Sequence, residues 1–189
     1  SASSYQSPHG LLLTPNSKRL LSLHSQDYYN YSAPTCAADG MCVPSYMIVD
    51  RNIGLDLFDT NSNGSLGAST QVEVQGHLIA SRMIGNTAVL VTSHYPRLQV
   101  ELLQTQQERD AALNYLTATE ILPSVRINGG APQPLVTETQ CFTQLANSSN
   151  NITITTITAI DLAAPGFSQS SRCFLGGTEA AYVAPNNVY

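Results

Sequence analysis

Charge is what this chain has least of. Only 11% of its 189 residues are Asp, Glu, Lys or Arg, against about 25% in an ordinary soluble domain. The eight basic residues are scattered and are outnumbered by thirteen acidic ones, for a net charge of −5. A nucleic-acid binder needs a dense basic face, because its affinity comes largely from releasing counterions held by phosphates. No nucleic-acid partner is therefore expected. Long apolar runs are missing as well. None approaches the roughly 20 residues that cross a bilayer as a helix, so no transmembrane segment is expected. The chain opens Ser1-Ala2-Ser3-Ser4-Tyr5-Gln6 with neither Met nor a signal peptide, as a processed or trimmed product would.

Short catalytic signatures are absent too. There is no G-x-S-x-G elbow, no P-loop, no G-x-G-x-x-G string and no H-E-x-x-H pair. His9, His24, His77 and His94 lack metal-ligand spacing; His77 and His94 flank one hairpin, where ordinary satisfied histidines are the plainer reading. Asp50, Asp56, Asp59 and Asp161 fall at or near strand ends, where Asp is a turn former. No catalytic residue is assigned.

What is present is a succession of short β-rich runs. Hydrophobic residues reach 42%, so the surface is built from Ser, Thr, Asn and Gln, as in secreted β proteins. Leu11–Leu23 reads as a hairpin turning at Pro15-Asn16-Ser17-Lys18. Strands follow at 46–50 and 54–59, then a turn over 60–65, then the alternating Thr70-Gln71-Val72-Glu73-Val74-Gln75. The unit 78–93 turns at Gly85-Asn86, a pair suited to the positive φ of a tight hairpin. Strands resume at 151–161 and 169–175, and a last unit runs from Ala181 to Tyr189. Regular short strands between turns predict an all-β fold: sandwich, barrel or propeller. Leu103–Ala118 breaks the pattern as a weakly amphipathic helix, and Leu122–Gln140, with three prolines and Gly129-Gly130, reads as a surface loop.

The cysteines are an even set, Cys36, Cys42, Cys141 and Cys173. Cys36 and Cys42 bracket the Asp39-Gly40 turn signal, which predicts a small-loop disulfide; Cys141 with Cys173 follows by exclusion. A four-thiolate zinc site wants two short Cys-x-x-Cys knuckles, which this spacing does not supply. Disulfides place the chain in an oxidising compartment: secreted, periplasmic or cell-surface. Asp59, Asn61 and Asn63 open a D-x-N-x-N-G string like a calcium loop. Its continuation puts Gly67 and Thr70 where oxygen-rich ligands belong, so a plain turn is preferred over calcium. Tyr28, Tyr29 and Tyr31 cluster in a polar segment before the cysteine loop. They are candidate contacts for a sugar or protein surface through ring stacking and hydroxyl bonding; covering an apolar sheet edge is the blander role. Asn63, Asn147 and Asn151 satisfy the glycosylation sequon, read here as polar surface.

The runs GHLIASRMIGNTAVLVTSHYPR, ILPSV, TITTITAIDL and SRCFLGGTEAAYVAPNNVY resemble bacterial and archaeal secreted proteins with a β-propeller domain distantly related to WD-40 repeats. The resemblance covers about Leu11 to Tyr189. It implies antiparallel four-stranded blades and an extracytoplasmic setting, and brings no catalytic residues with it. It also implies a domain longer than this chain, so the expected organisation is partial. Residues 1–10 form a flexible lead-in, 11–189 a partial propeller of about two to three blades, and 97–150 a helical and loop insertion. The expected function is a binding or scaffold module without its own catalysis, directed to a protein or a cell-surface polymer. The alternatives are a hydrolase with a site in the propeller channel, and a subunit that self-associates through open strand edges.

Overall fold

The structure, a computed structural model, describes residues 2–16, 18–36, 42–96, 103–143 and 153–189. Among the described residues, eleven strands form two sheets. The first takes β1 (Ala2–Leu13), β2 (Arg19–Cys36), β3 (Cys42–Thr60) and β4 (Leu66–Gln75) as an antiparallel meander. It is extended by β7 (Ser124–Ile127) and β8 (Gln133–Pro134). The second takes β5 (His77–Ile84), β6 (Thr87–His94), β10 (Ile154–Asp161) and β11 (Gln169–Leu175), with the two-residue β9 (Cys141–Phe142) added parallel to β11. Each sheet therefore contains one four-stranded antiparallel meander.

Alternation sets which side of each strand is buried. In β2, β3 and β4 the residues Leu21 and Leu23, Ile53, Leu55 and Leu57, and Val72 and Val74 share one face. The register stacks them: Leu21 pairs with Leu57, Leu23 with Leu55, Leu55 with Val72 and Ile53 with Val74. Ala88, Leu90 and Ile160 answer from the second sheet and Leu162 from the turn after β10, and all belong to one continuous apolar cluster. Burying each Leu, Ile or Val contributes about 1.5–3 kcal/mol, so this shared core holds the sheets together. A smaller cluster of Val136, Ile154 and Cys173, flanked by Ile121, Leu122 and Cys141, lies apart from it.

The chain crosses between sheets at Gly76, the single residue between β4 and β5. Its φ is +116, and a Cβ there would lie 2.8 Å from the Ser93 carbonyl oxygen, so only glycine fits. In the β5–β6 hairpin the positive φ falls on Gly85 alone, at 59, and not on Asn86. That is the glycine-first hairpin arrangement.

Several expectations are corrected. Residues 2–10 are no flexible lead-in but the first part of β1, pairing with β2 from Ala2↔Asn30 onward. Backbone hydrogen bonding carries this polar edge strand, and Pro8 is tolerated beside a bulge between Pro8 and Gly10. The Tyr28–Tyr31 segment is not a loop; it lies inside β2. Strands 46–50 and 54–59 are one strand, β3.

The expected single helix is two short ones, α1 (Gln106–Asn114) and α2 (Ala118–Ile121). Thr105 with Glu108, and Thr117 with Glu120, form capping pairs that start each helix separately. Leu122–Gln140 is not wholly loop, since β7, β8 and a 3-10 turn at Glu138–Gln140 lie within it. Within the 97–150 segment, β7 joins the first sheet and β9 the second. The last unit contributes only a bridge, Val183↔Val188, closed by reciprocal Tyr182 and Tyr189 backbone bonds of 2.9 and 2.9 Å.

Candidate binding pocket

The outer face of the first sheet is polar because its strands alternate. One row crosses four strands: His24 opposite Gly54, Gly54 opposite Glu73, and Glu73 opposite Arg126. The His24 ring occupies the space a Gly54 side chain would need, and its Nδ1 lies 3.7 Å from Asp56 Oδ2. At the β4–β7 end this face becomes the floor of a pocket of about 620 Å³, within the roughly 300–1,000 Å³ of small-molecule sites. Asn52, Glu73, Gln75, Ser124 and Arg126 make the floor, Leu122 with α2 one wall, and Pro132–Thr139 the other.

The residues that build this pocket are held from several directions. Asn128 turns the β7–β8 hairpin with φ 50, followed by Gly129 at 69. Its side-chain oxygen accepts the Gln71 N–H at 2.9 Å, and its own N–H donates to the Gln71 carbonyl at 2.7 Å. Asn tolerates this left-handed conformation better than most residues, so β7 is pinned beside β4. The Gln75 amide oxygen accepts from the Ser124 N–H and hydroxyl at 3.3 and 3.2 Å. The Tyr28 hydroxyl donates to Glu73 Oε1 at 3.3 Å. In the far wall, Thr137 donates its N–H to Gln140 at 2.8 Å, and just beyond it Cys141, joined to the fully buried Cys173 by a disulfide, ties the wall to the second sheet.

A wider crevice of about 1200 Å³ lies among the turns that join the strands at one end of both sheets. Its polar groups are largely spent. Arg19 meets Asp59 at 3.0 Å and donates to the carbonyls of Ala164 and Gly166. Asn61 donates to Ser65 Oγ at 2.9 Å, and Asn63 Oδ1 accepts from the Ser65 N–H and hydroxyl at 3.0 and 2.8 Å. Within the calcium-like string, Asp59 Oδ1 thus meets Arg19 and Asn63 Oδ1 serves the turn itself. Among the described residues no group of three or more His, Cys, Asp and Glu gathers as metal ligands.

The other sequence-predicted residues are dispersed. Tyr28 reaches the pocket through Glu73; the side chains of Tyr29 and Tyr31 lie outside the described residues. Cys36 and Cys42 stand opposite each other in the β2–β3 register, but their side chains also lie outside the described residues. His77 stacks on Tyr95, with ring centroids 5.7 Å apart and planes 4° from parallel. Burial first, then the nearby Arg51 charge, hold the His77 imidazole below its ordinary value. Asn147 and Asn151 fall outside the described residues.

Glu73, Gln75, Ser124 and Arg126 were missed as candidates. The alternation of Ser124-Val125-Arg126-Ile127 before Asn128-Gly129 is a strand-and-turn signal, obscured by the prolines around it.

Two face-packed sheets, each built on a four-stranded antiparallel meander, have the form of β-propeller blades. The family model described as Beta propeller domain matches residues 2–189, and the chain belongs to that family. Neither the curated proteins nor the solved structures contain a match to it. The described residues supply two sheets, where a closed propeller has typically about four to eight blades. Among the described residues no helix is long and apolar enough to cross a membrane.

Proposed function

We propose that this β-propeller domain is an extracytoplasmic binding module without catalysis of its own, seating its ligand in the pocket on the outer face of the first sheet. The observation that carries this reading is the guanidinium of Arg126. It is exposed on the pocket floor and has no hydrogen-bond or ion-pair partner among the described residues. An unpaired charge lining a concave site is open to a ligand, whereas the crevice at the turns uses the Arg19 and Asp59 charges to tie the turns together. The Cys141–Cys173 bridge supports an oxidising setting, and a second bridge between Cys36 and Cys42 belongs to the same reading.

The test is a screen of peptides and oligosaccharides by amide chemical-shift mapping. Shifts should gather at residues 73–75, 118–126 and 132–139, and the ligand should be recovered unchanged. Shifts confined to the 59–65 turn would overturn the site, and consumption of the ligand would overturn the lack of catalysis.

A second reading, self-association by strand addition, is favoured by β1. It is an edge strand on which Tyr5, Leu11 and Leu13 are 62%, 67% and 50% exposed. Leu11→Lys should then shift sedimentation toward monomer; an unchanged profile dismisses this reading.

A further inference from the structure

The pocket floor presents two opposite charges that do not neutralise each other. Glu73 and Arg126 are direct cross-strand partners, the arrangement in which a carboxylate and a guanidinium ordinarily pair. Yet no ion pair joins them, and Glu73 turns a carboxylate oxygen to the Tyr28 hydroxyl instead. Between these charges the groups are neutral. Gln75 has spent its amide oxygen on Ser124, leaving its NH2 as the donor available to the pocket. Apolar Leu122, Pro132, Pro134 and Val136 stand in the walls, beside the polar Gln133, Thr137 and Glu138.

We infer that the pocket takes a short zwitterionic peptide: Arg126 binds its terminal carboxylate, Glu73 its terminal ammonium, and the walls an apolar side chain. The charge pattern selects this class. A polyanion meets Glu73 and Glu138, a polycation meets Arg126, and a neutral sugar leaves both charges uncompensated and finds no aromatic platform in the lining. A peptide satisfies each group at once, and its amides suit the Gln75 NH2. Arg126 is built for a carboxylate because its planar fork grips both oxygens. Tyr28 acts as a positioning residue, keeping Glu73 directed away from Arg126.

This inference rests on the pocket being the ligand seat, and the test separates the two. Binding of alanyl-leucyl-alanine is measured by calorimetry against its N-acetyl, C-amide and doubly blocked forms, with cellotriose as the neutral polyol. The free peptide should bind at least tenfold more tightly than the doubly blocked form. Arg126→Gln should weaken the free peptide about tenfold while leaving the C-amide form unchanged; Glu73→Gln should do the converse with the N-acetyl form. The blocked peptides test the charges on the unaltered protein, so the outcome does not depend on the variants folding. Tyr28→Phe should weaken the free peptide but not the N-acetyl form, a split that general loosening would not produce. Equal binding of free and blocked peptides, or no peptide binding, overturns the inference. If cellotriose instead binds and shifts residues 73–75 and 124–126, the seat stands and the peptide assignment falls. Shifts elsewhere remove both.

Discussion

The two sheets share a meander but bury different chemistry. The inner face of the first is aliphatic at its centre, from Leu21 and Leu23 through Ile53, Leu55 and Leu57 to Val72 and Val74, all at 0 or 1% exposure. That of the second begins with Ala88, Leu90 and Ile160, then turns to Thr92, Thr156, Thr158 and Ser171, equally buried. The hydroxyls of Thr158 and Ser171 bond each other at 2.9 Å, and Ser171 donates to Gln169 at 2.6 Å. Those of Thr92 and Thr156 have no hydrogen-bond partner among the described residues. The second sheet also carries the Cys141–Cys173 bridge, beside the stacked pair Phe142 and Phe174. One sheet is held by burial, and the other offsets a weaker face with a covalent tie. β-branched threonine suits a strand whichever way it faces, so the same backbone accommodates both.

The largest effect should come from the aliphatic face. Leu55→Ala is expected to cost about 2–5 kcal/mol, a cavity plus lost transfer energy, read as a lower urea midpoint. A loss below 1 kcal/mol would mean the first sheet is not the anchor. Removing the bridge with Cys141→Ala and Cys173→Ala together should cost about 2–4 kcal/mol by freeing a 32-residue separation in the unfolded chain. Hydrogen exchange should then rise at 137–143 and leave β2–β4 protected; uniform loosening would refute the division between sheets.

Smaller effects probe the hydroxyls. Thr156→Val should raise stability by about 1 kcal/mol by removing an unpartnered buried hydroxyl. Thr158→Val should lower it by about 1 kcal/mol because it breaks a bond. Equal signs in thermal melts would show that the stripe behaves as a unit.

The smallest is a pH effect at the seam, where His77 of β5 feels Arg51 of β3. Because its folded pKa is lowered, the unfolded chain takes up the proton first, and stability rises with pH in that window. The melting temperature should be level above the ordinary value of 6.5 and fall as pH drops below it toward the folded value. His77→Gln should flatten that part of the profile; an unaltered slope would assign it to another group.

Much of this architecture was legible in the residues. Val72-Glu73-Val74 alternates, Gly85-Asn86 turns a hairpin, and the β-branched run in β10 pairs on both sides, with β6 and β11. Those signals are local, since a strand's period and a turn's φ depend on near neighbours. β1 and β7 were hidden for the opposite reason. The Ser-rich start of β1 and the proline-flanked Ser124–Ile127 have weak preferences, and they are strands because a neighbouring edge offers hydrogen bonds. The pocket was less visible still. Glu73 and Arg126 are 53 positions apart by number, and nothing in either segment tells that they are opposite.

The order of residues alone therefore determined most strands, most turns and the direction in which apolar side chains point, because each follows from covalent geometry and short-range alternation. Only the tertiary structure decided which polar face would be roofed, that Tyr28 would hold Glu73, and that Arg126 would be left unpaired in a cavity. Those outcomes depend on which distant strands become neighbours. That choice is made by the burial of the opposite, aliphatic face, and the polar residues themselves carry no record of it.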